Sequence, residues 1–327
     1  MTVSNAPGLK WRWAWVAAGM LLIPGMAVPG MAVLAQRNAT HAPQGSAAAA
    51  DEPITPIPQP SAADPVKIRL GERLFKDVRL SYDNAHACSS CHDVSFNGAS
   101  RSPGPATPPD HQRDVLTVFN ATLSFRFSWE GIYRTLESAV VASLTSPRTM
   151  RSSPDAIAAK LRLDPVTIAE FQAAYGHGPD GHSVVDAIAT YEQSLLTPGS
   201  RFDRWLTGDT AALSPQELKG YRLFKSLGCV SCHQGVNIGG NLFQRHGIFR
   251  PLASAEPAVL RVPSLRNVAV TPPYFHDGSA ATLEEAVRKM GAAQLNADLS
   301  DSQITAVVAF LHTLTGRYRD HLVGAAE

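Results

Sequence analysis

The chain has 327 residues, with 29 Lys and Arg against 28 Asp and Glu, for a net charge of +1. So even a balance supplies no global basic field, and binding to nucleic acid is not indicated. Beyond the N-terminal segment the chain is long enough for two domains of ordinary size.

In chain order, Lys10 and Arg12 introduce an almost wholly apolar run from Trp13 to Ala35 that ends in small residues. Val33-Leu34-Ala35 fits a cleavage site, so residues 1–35 read as a signal peptide. The run is also long enough to span a bilayer, which leaves an uncleaved anchor as the alternative. Interruptions at Gly19, Pro24, Gly25, Pro29 and Gly30 favour the removable signal. In either case the body faces the periplasm. Residues 36–64, rich in Ala and Pro, read as a flexible lead-in.

Pro65 to Phe75 opens with Pro and continues with Val66, Ile68, Leu70 and Leu74, predicting a helix. It leads to Cys88-Ser-Ser-Cys91-His92. The Pro-rich stretch from Ser102 to Pro109 reads as a covering loop. Ser153-Pro154 and Asp164-Pro165 each open a helix, and Val184 to Leu196 has apolar residues at helical spacing. Thr197-Pro-Gly-Ser punctuates the chain and places a domain boundary at 198/199. Ser214-Pro215-Gln216-Glu217 forms a capping box for a helix running to Cys229-Val-Ser-Cys232-His233. Ser302 to Leu314 is a last helix, capped from Ser300-Asp301-Ser302. Persistent strand alternation is absent.

The two Cys-x-x-Cys-His runs use all four cysteines, which leaves none for a disulfide framework. This is the attachment pattern of c-type haem. The thiols form thioethers, and the adjacent histidine takes an axial position on the iron. Paired Cys-x-x-Cys zinc sites usually lie about 15–20 residues apart, far closer than these. A redox dithiol has no use for a trailing histidine, still less twice. The expected cofactors are therefore two covalently bound haem c groups, on Cys88, Cys91 and His92 and on Cys229, Cys232 and His233.

The chain also repeats itself. Gly71-Glu-Arg-Leu74-Phe75-Lys76 precedes the first motif, and Gly220-Tyr-Arg-Leu223-Phe224-Lys225 precedes the second. Downstream, Asn120 to Val140 aligns without a gap with Asn267 to Val287. Both copies carry a glycine (Gly131, Gly278) and then Thr-Leu-Glu-x-Ala-Val. The fold expected is mainly α, with two tandem cytochrome c-like haem domains at 65–198 and 199–327.

The second half carries Cys-Val-Ser-Cys-His-Gln-Gly-Val-Asn-Ile-Gly-Gly-Asn (229–241), then Val-Pro-Ser-Leu-Arg-Asn-Val-Ala-Val-Thr-Pro-Pro-Tyr-Phe-His-Asp-Gly (262–278), then Met290-Gly291. This resembles the bacterial di-haem cytochrome c peroxidase family, which includes di-haem oxidases that modify protein tryptophans. The resemblance covers about Pro65 to Gly316. It implies an N-terminal peroxidatic haem and a C-terminal haem that takes electrons from a small cytochrome c or cupredoxin, with hydrogen peroxide as substrate. It assigns His233 and Met290 as axial ligands of the electron-entry haem. The other reading of Met290 is a core filler. The tryptophan-modifying oxidases have tyrosine there. His92 becomes the proximal ligand of the peroxidatic haem. Trp129 matches the tryptophan between the haems, and its other reading is an ordinary buried aromatic. The resemblance maps the family's calcium positions to Asp114 (an Asn in most relatives), Thr271 and Pro273, and a merely solvated carboxylate is the other reading of Asp114. A homodimer is also implied.

One departure stands out. The family's distal glutamine and glutamate fall, by gapless count from Trp129, on Ala139 and Thr149, and neither can serve as the acid–base group. His111, Glu130 and Glu137 are the substitutes within reach. His111 falls near the distal histidine that ligates the resting peroxidatic haem, and a surface histidine is its other reading. His276 occupies in the second repeat the place of Trp129 in the first and reads as structural; no role is assigned to His246. The activity expected is peroxide reduction. The alternatives are an electron carrier or sensor, and an oxidase acting on a protein or organic substrate.

Overall fold

The computed structural model describes residues 52–60, 63–99, 113–254 and 256–325. All lie in one contact unit, Gln44–Glu327. The signal or anchor segment, most of the lead-in, the loop at 102–109 and His111 lie outside the described residues. Among the described residues, no helix is long and apolar enough to cross a membrane.

The described structure is mostly helical. The first half contains α1 (Pro65–Phe75), α2 (Leu136–Thr145), α3 (Pro154–Leu161), α4 (Pro165–Tyr175) and α5 (Gly181–Ser194). The second contains α6 (Arg201–Leu206), α7 (Pro215–Ser226), α8 (Leu283–Leu295) and α9 (Asp301–His312). Four of these helices carry Pro in the first turn behind an Asp or Ser cap: Asp64, Ser153, Asp164 and Ser214. There the missing N–H is no loss and the cap oxygen accepts an otherwise orphaned one. Among the described residues, strands form two antiparallel pairs, with isolated bridges joining Phe127 to Tyr133 and Tyr274 to Ala280. The first joins β1 (Phe243–Arg245) to β2 (Val259–Arg261), and the second joins β3 (Arg317–Tyr318) to β4 (His321–Leu322).

The duplication is visible in three dimensions. α1 packs on α5 as α7 packs on α9. At each crossing a glycine lets the backbones touch. A Cβ on Gly71 would lie 2.0 Å from the Ala187 carbonyl oxygen, and one on Gly220 would lie 1.9 Å from that of Ala306. Phe75 meets the His92 ring at 6.4 Å and 48°, and Phe224 meets His233 at 6.3 Å and 49°. Asn120 and Asn267 share a left-handed backbone, with φ of 60° and 61°. Both side chains donate to the Thr197 hydroxyl, at 2.7 and 3.0 Å. Thr197, in the stretch read as punctuation, is 0% exposed. That stretch is a packed hub between the copies, because each buried asparagine needs a polar partner and Thr197 serves both.

The chain ends cross over. Within the segment expected to be a flexible lead-in, Ile54 and Ile57 are buried. The Glu52 carboxylate is bonded by Tyr221 and Lys225 of α7, and Thr55 O accepts from Arg266. Residues 52–57 are thus fastened to the second half, a correction to the flexible reading. In return, the β3–β4 hairpin after α9 packs on the first half. There Tyr318 meets Phe119 at 5.1 Å, Val323 joins the cluster around Phe75 and Tyr191, and Arg319 pairs with Glu72 of α1.

Candidate haem sites and the path between them

Each attachment motif begins on a short 3-10 turn, Cys88–Ser90 or Cys229–Ser231, just beyond the helix that precedes it. The four cysteines form no disulfides. Burial pushes the Cys229 thiol up to about 11. Burial and then the neighbouring Glu192 carboxylate raise Cys88 further. Such thiols stay protonated, unlike the depressed thiols of redox dithiols. Among the described residues, no group of three or more His, Cys, Asp and Glu is placed to hold a metal ion.

The donor set fits haem. His92 Nδ1 lies 3.2 Å from Gly98 O, and His233 Nδ1 lies 3.3 Å from Ile238 O. A carbonyl only accepts, which favours a proton on Nδ1 in both rings and leaves Nε2 of His233 to present its lone pair, while the Leu116 carbonyl also approaches the His92 ring. Burial lowers both imidazoles, His233 to about 4, which keeps them neutral and able to ligate.

A deep, mostly apolar cleft in the second half brings together Cys229, Cys232, His233 and Met290. Met290 lies on α8, and Gln294 follows one turn later on the same face. Two buried polar atoms, His246 Nδ1 and Gln294 Oε1, have no hydrogen-bond partner among the described residues, and both residues line this cleft. Unpaired buried polar atoms around an apolar cleft mark the space as one for a group with a polar edge.

Trp129, Asp114, Thr271, Pro273 and His276 line the same cleft. Trp129 is half-buried. Its Nε1 donates to Asp114 O at 2.8 Å, and its ring meets His276 edge-on at 6.2 Å. Asp114 N in turn donates to His276 O at 2.9 Å. The indole is therefore clamped between the two repeats rather than sunk in one core. The Asp114 carboxyl is pushed up to about 7 by burial, and it forms no ion pair among the described residues.

The remaining predicted residues are less concentrated. Ala139 lies on α2, and Thr149 is exposed on the turn after it, bonded to Ser143 O. Glu137 sits in the first turn of α2, where a negative charge suits the helix N-terminus. Glu130 is ion-paired with Arg113. The reading of the sequence missed Arg261, Arg126, His246 and Gln294 as residues of the cleft. Gln294 was within reach, four positions after Met290 on a helix, whereas the others arrive through loops and a two-stranded pairing.

Two attachment turns, each following a helix and each with an imidazole whose Nδ1 faces a backbone carbonyl, define a c-type di-haem protein. A family model described as di-haem cytochrome c peroxidase matches residues 65–211, and one described as cytochrome c matches 218–315. The chain is 36% identical over 296 residues to the cytochrome c551 peroxidase of Nitrosomonas europaea, covering 83% of this chain and 86% of that one. It is 31% identical to the methylamine utilization protein MauG of Methylorubrum extorquens, covering 70% of this chain and 69% of that one. Among solved structures, a MauG-like protein associated with microbial copper homeostasis is similar, with a TM-score of 0.68 and 25% identity. That match covers 80% of this chain and 93% of the other. The chain belongs to the di-haem cytochrome c peroxidase family, and is a haem c oxidoreductase of that type.

Proposed function

We propose that the chain is a periplasmic di-haem peroxidase. Residues 65–198 form the peroxidatic half around Cys88, Cys91 and His92. Residues 199–327 form the electron-entry half around Cys229, Cys232, His233 and Met290. When bound, the haems would supply the one-electron redox chemistry by which two electrons and two protons turn one hydrogen peroxide into two waters. The carrying observation is that one cleft unites the second attachment motif, the Met290 thioether and the indole of Trp129.

The protein's own groups then have defined tasks. His92 and His233 offer neutral imidazoles, each oriented by a backbone carbonyl. Met290 offers a soft thioether, and a His/Met pair favours a high potential suited to accepting electrons from a small cytochrome or cupredoxin. Trp129, held by Asp114 O, shortens the path from one half to the other without taking up a proton. Asp114, Thr271 and Pro273 offer hard oxygens for calcium. A buried carboxyl with no ion pair among the described residues supports that assignment.

Ala139 and Thr149 favour a second reading. With no acid–base group at those positions, the work falls to His111, or the framework serves as a carrier or sensor, or as an oxidase of a protein or organic substrate, as the resemblance to the tryptophan-modifying di-haem oxidases suggests. Steady-state turnover of hydrogen peroxide with reduced cytochrome c, before and after partial reduction of the protein, separates these. The peroxidase reading predicts turnover in at least one state; none in either discards it.

A further inference from the structure

Arg261, at the end of β2, is 7% exposed, lines the second-half cleft, and forms no ion pair among the described residues. A buried charge without a counter-charge is costly, so natural structures pair it. Among the described residues, no carboxylate forms an ion pair with it. Among the described residues, Asp114 is the one carboxylate residue lining the cleft, and it forms no ion pair with Arg261. Arg126 lines the same cleft, also without an ion pair among the described residues. Arg266, by contrast, lines it but is paired with Asp203 at 2.8 Å.

Arg261 is also tied to the loop that carries Trp129. Its Nε donates to Ser128 O at 3.1 Å, and its backbone N–H donates to Trp129 O at 2.8 Å. Ser128 has a φ of 75°, in the left-handed region that side-chain-bearing residues seldom adopt. Haem carries two propionate carboxylates on an otherwise apolar ring. The cleft is apolar with an unneutralised guanidinium, so the two charge patterns are complementary.

We infer that Arg261 is the counter-cation for a propionate of the C-terminal haem and, through Ser128 and Trp129, a positioning residue for the indole between the two halves. The inference rests on a haem being attached at Cys229 and Cys232, which pyridine haemochrome analysis (two haems per chain) tests separately.

The test uses the holoprotein with Arg261→Gln, Arg261→Lys and, as a neighbour, Arg126→Gln. Removing a positive charge beside the iron favours the ferric state. Spectroelectrochemical titration should therefore show the C-terminal haem potential falling in R261Q, by more than in R126Q. It should stay near wild type in R261K, with the N-terminal haem unmoved. Lysine restores the charge but not the Nε bond to Ser128. Interhaem electron transfer should therefore slow several-fold in both Arg261 variants. An unchanged potential in R261Q overturns the counter-ion role, and wild-type transfer in R261K overturns the positioning role. If R261Q yields no holoprotein, the propionate bending mode in resonance Raman spectra decides. A hydrogen-bonded frequency in the wild type that shifts in R261K supports the assignment, and a free-carboxylate frequency in the wild type overturns it.

Discussion

Replacing Gly220 by alanine probes the crossing that carries the second attachment turn. The new Cβ would lie 1.9 Å from Ala306 O, 2.7 Å from the Ala306 carbonyl carbon and 3.0 Å from Phe310 Cβ. Ordinary contact begins at 3.4 Å, so α7 would have to retreat from α9 by about 1.5 Å, the difference between 3.4 and 1.9. The obstacle is backbone inside a helix and cannot rotate aside. Overpacking of this kind costs about 1–3 kcal/mol, occasionally more. Alanine returns up to about 1 kcal/mol of helix propensity. The net expected loss is about 1–2 kcal/mol, or roughly 2–8 °C in Tm for a unit of this size. Thermal and denaturant unfolding of the holoprotein measure it. Gly178→Ala is the control, since its Cβ would meet only Ile168 Cγ2 at 3.9 Å. α7 ends three residues before Cys229, so the retreat should also disturb the absorption spectrum of the C-terminal haem. A G220A protein as stable as wild type would refute the close-crossing argument.

Burial and charge pairing elsewhere in the molecule give three further expectations. Arg266→Ala strands the buried Asp203 carboxylate and also removes bonds to Val236 O and Thr55 O, so denaturant unfolding should show a loss of about 3–5 kcal/mol. Glu72 is held down to about 2, first by the Arg319 hydrogen bond and then by Lys76, against burial that acts the other way. A depressed carboxylate stabilises above its unfolded pKa and loses that contribution as pH falls towards the folded one. The stability gap between wild type and Glu72→Gln should therefore be steady above about pH 5 and close between about 4.5 and 2, and a gap that persists there contradicts it. Chelator treatment should lower Tm and added calcium should restore it, with both responses absent in Asp114→Ala; no calcium response in the wild type removes that site.

Cysteine chemistry and local capping are short-range properties, so they were legible. The Cys-x-x-Cys-His runs, the Pro-started helices α1, α3, α4 and α7, and the doubled Gly-x-Arg-Leu-Phe-Lys run each depend on residues a few positions apart, and all appear where the pattern placed them. Gly71 and Gly220 could be seen as repeated letters, but their purpose needed the partner carbonyls of Ala187 and Ala306, far away in sequence. The cleft shows the same limit. Met290 could be matched from its own neighbourhood, whereas Arg261 acquires meaning only from its burial in a cleft where, among the described residues, it has no ion-pair partner, which no local pattern records.

The chain's own order of residues determined that there are two haem-attachment turns, each preceded by a helix, and that one half copies the other. Covalent chemistry and hydrogen bonds that close within a turn of helix are enough for both. Only the tertiary structure decided that residues 52–57 belong with the second half and the β3–β4 hairpin with the first, that Thr197 is a shared hub, and that Trp129 is clamped between the repeats. Burial and charge pairing act between segments far apart in sequence, and folding alone brings those segments together.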